Sequence, residues 1–273
     1  MGITANIIAD SLSPLGHRVT TFVLSYPRFI HSELMTYRVF SRNAASSRAI
    51  PARKVRAKVR QDPARPVFWG SNKPGMQAGA ELAGWRLALV KLVWAKAMHL
   101  MLITNWVLEK LGLHKQLANR ILEPWTNITV IVTSTEWDNF YTQRNHESAQ
   151  PEIRELARAM LRAHNVSQPR FLDYDCWHLP FVPPEEEATI NAEHGTEAAR
   201  MVSVARAARV SYMNHEGRCS TFEDDKKLFD KLVGSNPKHL SPTEHQARPS
   251  PYLRCHQGNL VGWLQFRKEF EVP

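Results

Sequence analysis

The chain has 273 residues, 43% of them hydrophobic and 22% charged, which is globular material for one large domain or two small ones and excludes disorder, collagen and a disulfide scaffold. Thirty-five Lys and Arg against 26 Asp and Glu leave a net charge of +9, which favours an anionic partner such as a nucleotide, a nucleic acid or a membrane surface. Cys176, Cys219 and Cys255 form no CxxC pair, so neither a structural zinc site nor a disulfide framework is expected and a reducing compartment, the cytoplasm, fits.

In chain order, MGITANIIADSLSP lacks the basic run and apolar core of a secretory signal. Val19 to Tyr26, VTTFVLSY, is β-branched and aromatic and is closed by Pro27, which predicts a strand. The apolar recurrence in RFIHSELMTYRVF predicts a short helix with Arg38 near its end. Pro51 to Gly79 holds four prolines and the turn signal GSNKPG and reads as a long ordered loop. Glu81 to Gly112 reads as one long helix or two. Its apolar stretch, Leu87 to Leu108, contains Lys91, Lys96, His99 and Asn105, a composition that favours a buried or interface helix over a membrane span.

Asn127 to Thr133, NITVIVT, predicts a strand, followed by a helix from Glu136 capped by Ser134 or Thr135. Pro151 opens a second helix with Ile153, Leu156, Ala157, Met160 and Leu161 on one face. Residues 176–199 show little periodicity and read as a linker. Beyond it SVARAARVSY reads as a strand or its approach, and Thr221 with Asp224 forms a capping-box start for a helix that Gly234 stops. SPTEHQARP reads as a turn, and GNLVGWLQFRK as strand or helix.

Three polar clusters can carry chemistry. Arg38, Ser41, Arg42, Asn43, Ser46, Ser47 and Arg48 suit a phosphate, because guanidinium offers bidentate charged hydrogen bonds; the alternative is a solvated basic loop. Asn139, Gln143, Arg144, Asn145, His146, Gln150 and Arg154 offer amides at helical spacing that can read a heterocycle edge, or simply form an exposed surface. His239, Ser241, Glu244 and His245 can serve acid/base work or orient a cofactor, whereas metal ligation would call for a fixed pair such as HExxH. There is no GxGxxG or P-loop motif.

Together these clusters resemble the flavin-dependent thymidylate synthases, the ThyX class. The family signature R-H-R-x2-S-x-N-x2-S-x-R is similar to Thr36-Tyr37-Arg38-x2-Ser41-x-Asn43-x2-Ser46-x-Arg48, and the later block N-F-x3-R-x4-A-Q-x-E-I to Asn139-Phe140-x3-Arg144-x4-Ala149-Gln150-x-Glu152-Ile153. A third block, which usually comes first, resembles Ala207-Ala208-Arg209-Val210-Ser211-Tyr212 and Lys238 to His245. Its late position implies a circularly permuted order, closest to phage-encoded members. The resemblance implies an α+β fold with a mixed or antiparallel sheet and long helices. Residues 1–175 would carry the nucleotide signature and a helical insertion, 176–199 a linker, and 200–273 the usual N-terminal part, together one domain.

The activity implied is reductive methylation of dUMP to dTMP, with FAD as hydride carrier, 5,10-methylenetetrahydrofolate as carbon donor and NADPH as reductant. No metal and no cysteine nucleophile is needed. Carried over by motif, Ser46, Arg48 and Arg144 would hold dUMP, with Arg144 and Ser46 closest to the chemistry, Arg120 as a further phosphate ligand and Glu33 near the base. Arg38, Asn139, Ser211, Ser241 and Glu244 would contact FAD, and His239 would stand beside the flavin where folate stacks. The family's sites lie between subunits of a homotetramer, where the apolar helix near 87–108 would be buried; neither a membrane nor a nucleic acid is an expected partner. Thr36 and Tyr37 remove a cation and an imidazole from the signature, while Ala44 and Ser148 replace a frequent Glu and His. These departures open two alternatives, a pyrimidine nucleotide hydroxymethylase and a dCMP-directed enzyme. A basic nucleic-acid-binding protein using residues 52–65, or an inactive homologue, is the reading from another class.

Overall fold

Five strands form the central sheet in the computed structural model, which describes residues 2–212, 220–252 and 258–271, the side chains of Ser211 and Tyr212 excepted. They are β1 (Thr4–Leu12), β2 (Arg18–Pro27), β3 (Ser41–Ala44), β4 (Asn127–Ser134) and β5 (Arg170–Phe171), in the order β3-β4-β2-β1-β5. Every pairing is antiparallel except β1 with β5, so the sheet is mixed. β2 and β4 lie at its centre and are the two strands the sequence announces: covered on both faces, they read as near-continuous apolar runs. β1 was not foreseen, because a register shift between Ile7 and Ala9 breaks the alternation of period two.

The helices are α1 (His31–Leu34), α2 (Ala52–Gln61), α3 (Gly84–Lys110), α4 (Lys115–Ala118), α5 (Asp138–Arg144), α6 (Pro151–Val166), α7 (Pro184–His194), α8 (Ala198–Tyr212) and α9 (Phe222–Gly234). α6 starts at Pro151 and buries Ile153, Leu156, Ala157 and Met160 against Phe22 and Leu24 of the sheet. α9 has its capping box: the Thr221 side chain accepts from the Asp224 amide while the Asp224 side chain accepts from that of Thr221. α1 is a single turn that ends before Arg38, and α5 begins at Asp138 without a side-chain cap.

Three further expectations fail. The stretch after Pro51 is not all loop, since α2 fills its first third; proline there stands at the flank of a helix, where it costs nothing. Val55 and Val59, four residues apart, pack it against Met98 and Leu102 of α3, and buried Arg56 donates to Asn105 Oδ1 at 2.6 Å and Glu109 Oε2 at 2.5 Å. The segment 176–199 contains α7, and its Leu179 and Val182 are buried against Ala199 and Val202. SVARAARVSY is helix, not strand. Its alanines favour helix and let α8 approach Ile131 of β4 on one side and Phe229 and Leu232 of α9 on the other.

α3 is one helix of 27 residues with only Met98, Leu102 and Asn105 buried. Trp85, Leu89, Val93, Leu100, Ile103 and Val107 form an exposed stripe along its opposite side, Trp85 at 72% and Ile103 at 60% exposure. Its length and composition suffice to cross a membrane, with a mean hydropathy of 1.6 over an 18-residue window. The last strands, β6 (Ala247–Pro249) and β7 (Trp263–Gln265), form a separate hairpin that ties the C-terminal segment to the sheet. Cys219 and Cys255 lie outside the described residues.

Candidate active site

α1, α5 and the first turn of α6 converge on a cleft of about 690 Å³. Arg144, in the last turn of α5, reaches back to α1: its Nη1 donates to Glu33 Oε2 at 3.0 Å. Its Nε donates to the Tyr37 hydroxyl at 2.9 Å, and the guanidinium carbon lies 5.5 Å from the Tyr37 ring centroid. The Tyr37 hydroxyl in turn donates to Gln143 Oε1 at 3.0 Å, and Gln143 Nε2 donates to Asn139 Oδ1 at 3.0 Å.

Tyr37 is only 6% exposed, wedged between Phe40 and Phe140, so the arginine is aimed by a rigid aromatic support. Burial raises the Glu33 carboxyl above its ordinary pKa, Arg144 pulls it back and the charge of Glu152 pushes it up again. Glu152, buried at the start of α6, accepts from the Val67 amide at 2.9 Å and from Gln150 Nε2 at 3.0 Å.

The other nucleotide candidates stand elsewhere. Ser46 Oγ accepts from the Arg48 amide at 3.3 Å, and Arg48 is exposed. Arg120 is half exposed and donates to Glu123 Oε1 at 2.9 Å, an oxygen that also accepts from Ser47 Oγ at 3.0 Å and pairs with Arg28 at 3.1 Å. Asn119 Nδ2 fixes this loop by donating to the carbonyls of Ser47 and Ile50 at 2.7 and 2.9 Å. Ser46, Arg48 and Arg120 do not line the Arg144 cleft, and among the described residues no hydrogen bond joins them to it. Within one chain, then, the candidates form two groups.

The third group is split as well. Gln265 Nε2 donates to Ser41 Oγ and to the Glu244 carbonyl, each at 2.9 Å, and so sets the turn Ser241–Glu244 beside β3. Glu244 pairs with Arg267, and its charge also reaches Arg42, whose pKa burial lowers and Glu244 raises. His239 and Ser241 are exposed; His245 is buried, its Nδ1 hydrogen-bonded to Thr133 Oγ at 2.9 Å. KHLSPTEHQ therefore exposes one histidine and buries the other, and no metal-holding cluster occurs among the described residues. Arg38 and Asn139 are exposed beside the cleft's supports, while the side chain of Ser211 is outside the described set. The sequence reading passed over Glu123 and His178: Glu123 was legible as the partner three residues after Arg120, but His178 sits in an aperiodic stretch that carries no signal.

Residues 4–169 match the family described as thymidylate synthase complementing protein, Thy1. The chain belongs to this family. That places it among the flavin-dependent thymidylate synthases, an enzyme family. The signature from Arg38 to Arg48 and the block from Asn139 to Ile153 lie inside the matched residues; Ala207 to Tyr212 and Lys238 to His245 lie beyond them. No curated protein was found to match. Among solved structures, a UMP/dUMP methylase PolB from Streptomyces cacaoi is similar in two forms. With 5-Br UMP it is 19% identical, covering 59% of this chain and 88% of that one at a TM-score of 0.47. With 5-Br dUMP it is 17% identical, covering 59% and 89%, again at 0.47.

Proposed function

We propose that the protein is a cytoplasmic enzyme that methylates dUMP to dTMP reductively, using FAD, 5,10-methylenetetrahydrofolate and NADPH. The observation that carries this reading is Arg144 held between Glu33 and Tyr37 in the cleft of a Thy1-family chain. Methylation requires electron density to rise on the uracil ring. A fixed cation at the ring edge stabilises that charge without reorganising. Tyr37, standing where the family signature has histidine, does this by orienting the guanidinium. Arg48, Arg120 and Ser46 take the phosphate.

The flavin, when bound, supplies the hydride. The Arg38 guanidinium and Asn139 Nδ2 have no hydrogen-bond partner among the described residues, and this donor set suits a pyrophosphate and a heterocycle edge. Ser211, His239, Ser241 and Glu244 complete the cofactor side. The bonds of Gln265 and His245 to β3 and β4 support reading residues 200–271 as the permuted family segment. The separation of Arg48 and Arg120 from Arg144 supports a site composed by two copies in a homotetramer, with the exposed stripe of α3 as a face that copies bury.

The test is an absorbance titration of the FAD-loaded protein with dUMP, repeated for Arg48→Ala and Arg144→Ala. A flavin spectrum that shifts with dUMP, and a dUMP affinity at least tenfold weaker in each variant, are expected. Unchanged nucleotide affinity in both variants overturns the assignment, and product analysis separates dTMP from a hydroxymethylated or dCMP-derived nucleotide.

A further inference from the structure

The stretch from Phe68 to Leu82 belongs to none of the family blocks, yet it forms a wall of the Arg144 cleft. It is a closed hairpin: the Ser71 amide donates to the Ala80 carbonyl at 2.8 Å, the Gly79 amide to the Ser71 carbonyl at 2.8 Å and the Leu82 amide to the Trp69 carbonyl at 2.9 Å. Gly70 is required, since a Cβ there would come within 2.4 Å of Ala78 Cβ and 2.7 Å of Phe68 Cε1. Gly75 turns the tip at φ +99°. Trp69 anchors the hairpin edge-on to Trp94 of α3, ring centroids 5.9 Å apart.

Charge decides which end of a nucleotide this cleft admits. Three carboxylates, Glu33, Glu147 and Glu152, face two guanidiniums, Arg144 and Arg154, so the lining carries no positive excess for a phosphate dianion and accepts a neutral heterocycle at lower cost. The hairpin adds apolar Phe68 and Met76, with Trp94 behind. It also adds Gln77, exposed and without a hydrogen-bond partner among the described residues, whose amide carries both a donor and an acceptor. We propose that this hairpin is the base-recognition wall, with Phe68 and Met76 packing on the pyrimidine and Gln77 reading its polar edge.

This inference rests on the nucleotide reading of the Arg144 cleft, and its test separates the two. Binding of dUMP and of 2′-deoxyuridine is measured by calorimetry for the full chain, Gln77→Ala, Arg48→Ala and Arg144→Ala. Gln77 is exposed, so its truncation leaves the fold intact. Gln77→Ala is expected to weaken both ligands by the same factor, about tenfold, with FAD affinity unchanged, whereas Arg48→Ala weakens dUMP alone. If Gln77→Ala binds both ligands like the parent while Arg144→Ala loses them, the hairpin is not the base wall and the cleft reading stands. A loss confined to dUMP would put Gln77 at the phosphate and overturn the proposal. If Arg144→Ala also binds normally, the cleft is not the nucleotide site and both readings fall.

Discussion

On one face of β2 and β4, Phe22, Leu24, Tyr26, Val130 and Val132 pack with α6 and with a chain of rings in which Trp137 meets Phe22 at 5.1 Å and Phe40 at 4.8 Å. On the other face the same strands present Thr21 and Thr133, hydroxyl to hydroxyl at 2.7 Å. Thr21 continues to His178 Nε2 at 2.8 Å, His178 Nδ1 to Ser11 Oγ at 2.8 Å, and Thr133 to His245 Nδ1 at 2.9 Å. Alternation along a strand thus gives the sheet one face held by packing, which is non-directional, and one where buried hydrogen bonds, which are directional, run beside the packing of Val19 and Ile131. Tyr37 and Phe140 belong to the packed face and aim Arg144; the segment bearing Ser241 and Glu244 is docked through the bonded face.

The largest effect that can break this comparison is on the packed side. Phe22→Ala removes a fully buried ring from the centre of the apolar cluster and should cost about 3–5 kcal/mol, read as a shift of the urea midpoint. A loss below about 1 kcal/mol would mean that the bonded face, not the packed one, carries the stability.

The bonded face has its own signature in acid. Burial lowers His178 to about 4, with Asp10 opposing, and lowers His245 to about 3, with the neighbouring His178 adding to the shift. Both histidines are neutral in the fold, so below pH 6.5 the unfolded chain binds more protons than the native one. Their contribution is complete above pH 6.5 and is lost as pH falls toward those values, by about 1.4 kcal/mol per pH unit for each histidine while it titrates. Between pH 6.5 and 5 that is about 2 kcal/mol per histidine, somewhat less than the loss expected for Phe22→Ala. Burial lowers His31 and His164 as well, so the measurement is the difference in slope between the parent and His245→Gln. Equal slopes would show that His245 is not titrating on unfolding.

How much of this was legible in the sequence follows from the same physics. β2, β4, α6 and α9 announce themselves because their periodicity, prolines and caps are local. α2 and α8 do not, since the former needs α3 to bury Val55 and Val59 and the latter needs the sheet to accept its alanines. Glu33 and Arg144 lie 111 positions apart and meet only through the fold; the motif resemblance pointed to each residue without pairing them. Tyr37 read as a loss from the signature, whereas its hydroxyl supports Arg144, a bond that spans 107 positions. Arg48 and Arg120 belong with Arg144 by motif but stand apart from it in space, a separation that no single-chain sequence pattern encodes.

The smallest expected effect sharpens the comparison most. Thr221 caps α9 at an exposed helix start, far along the chain from the sheet, and Thr221→Ala removes one half of the capping box, for about 1 kcal/mol. α9 reaches the sheet through α8, by way of Phe229 and Leu232 against Val204 and Ala208, and through Phe266, which follows the Gln265 bonded to β3. If the two faces are separate in energy, amide exchange in α9 should quicken by about fivefold while the β2 and β4 amides keep their protection, because the C-terminal layer opens without disturbing the ring cluster beneath. Faster exchange in β4 as well would show that the bonds of Thr133 to Thr21 and His245 transmit the opening through the sheet, and the two faces would then be one cooperative unit.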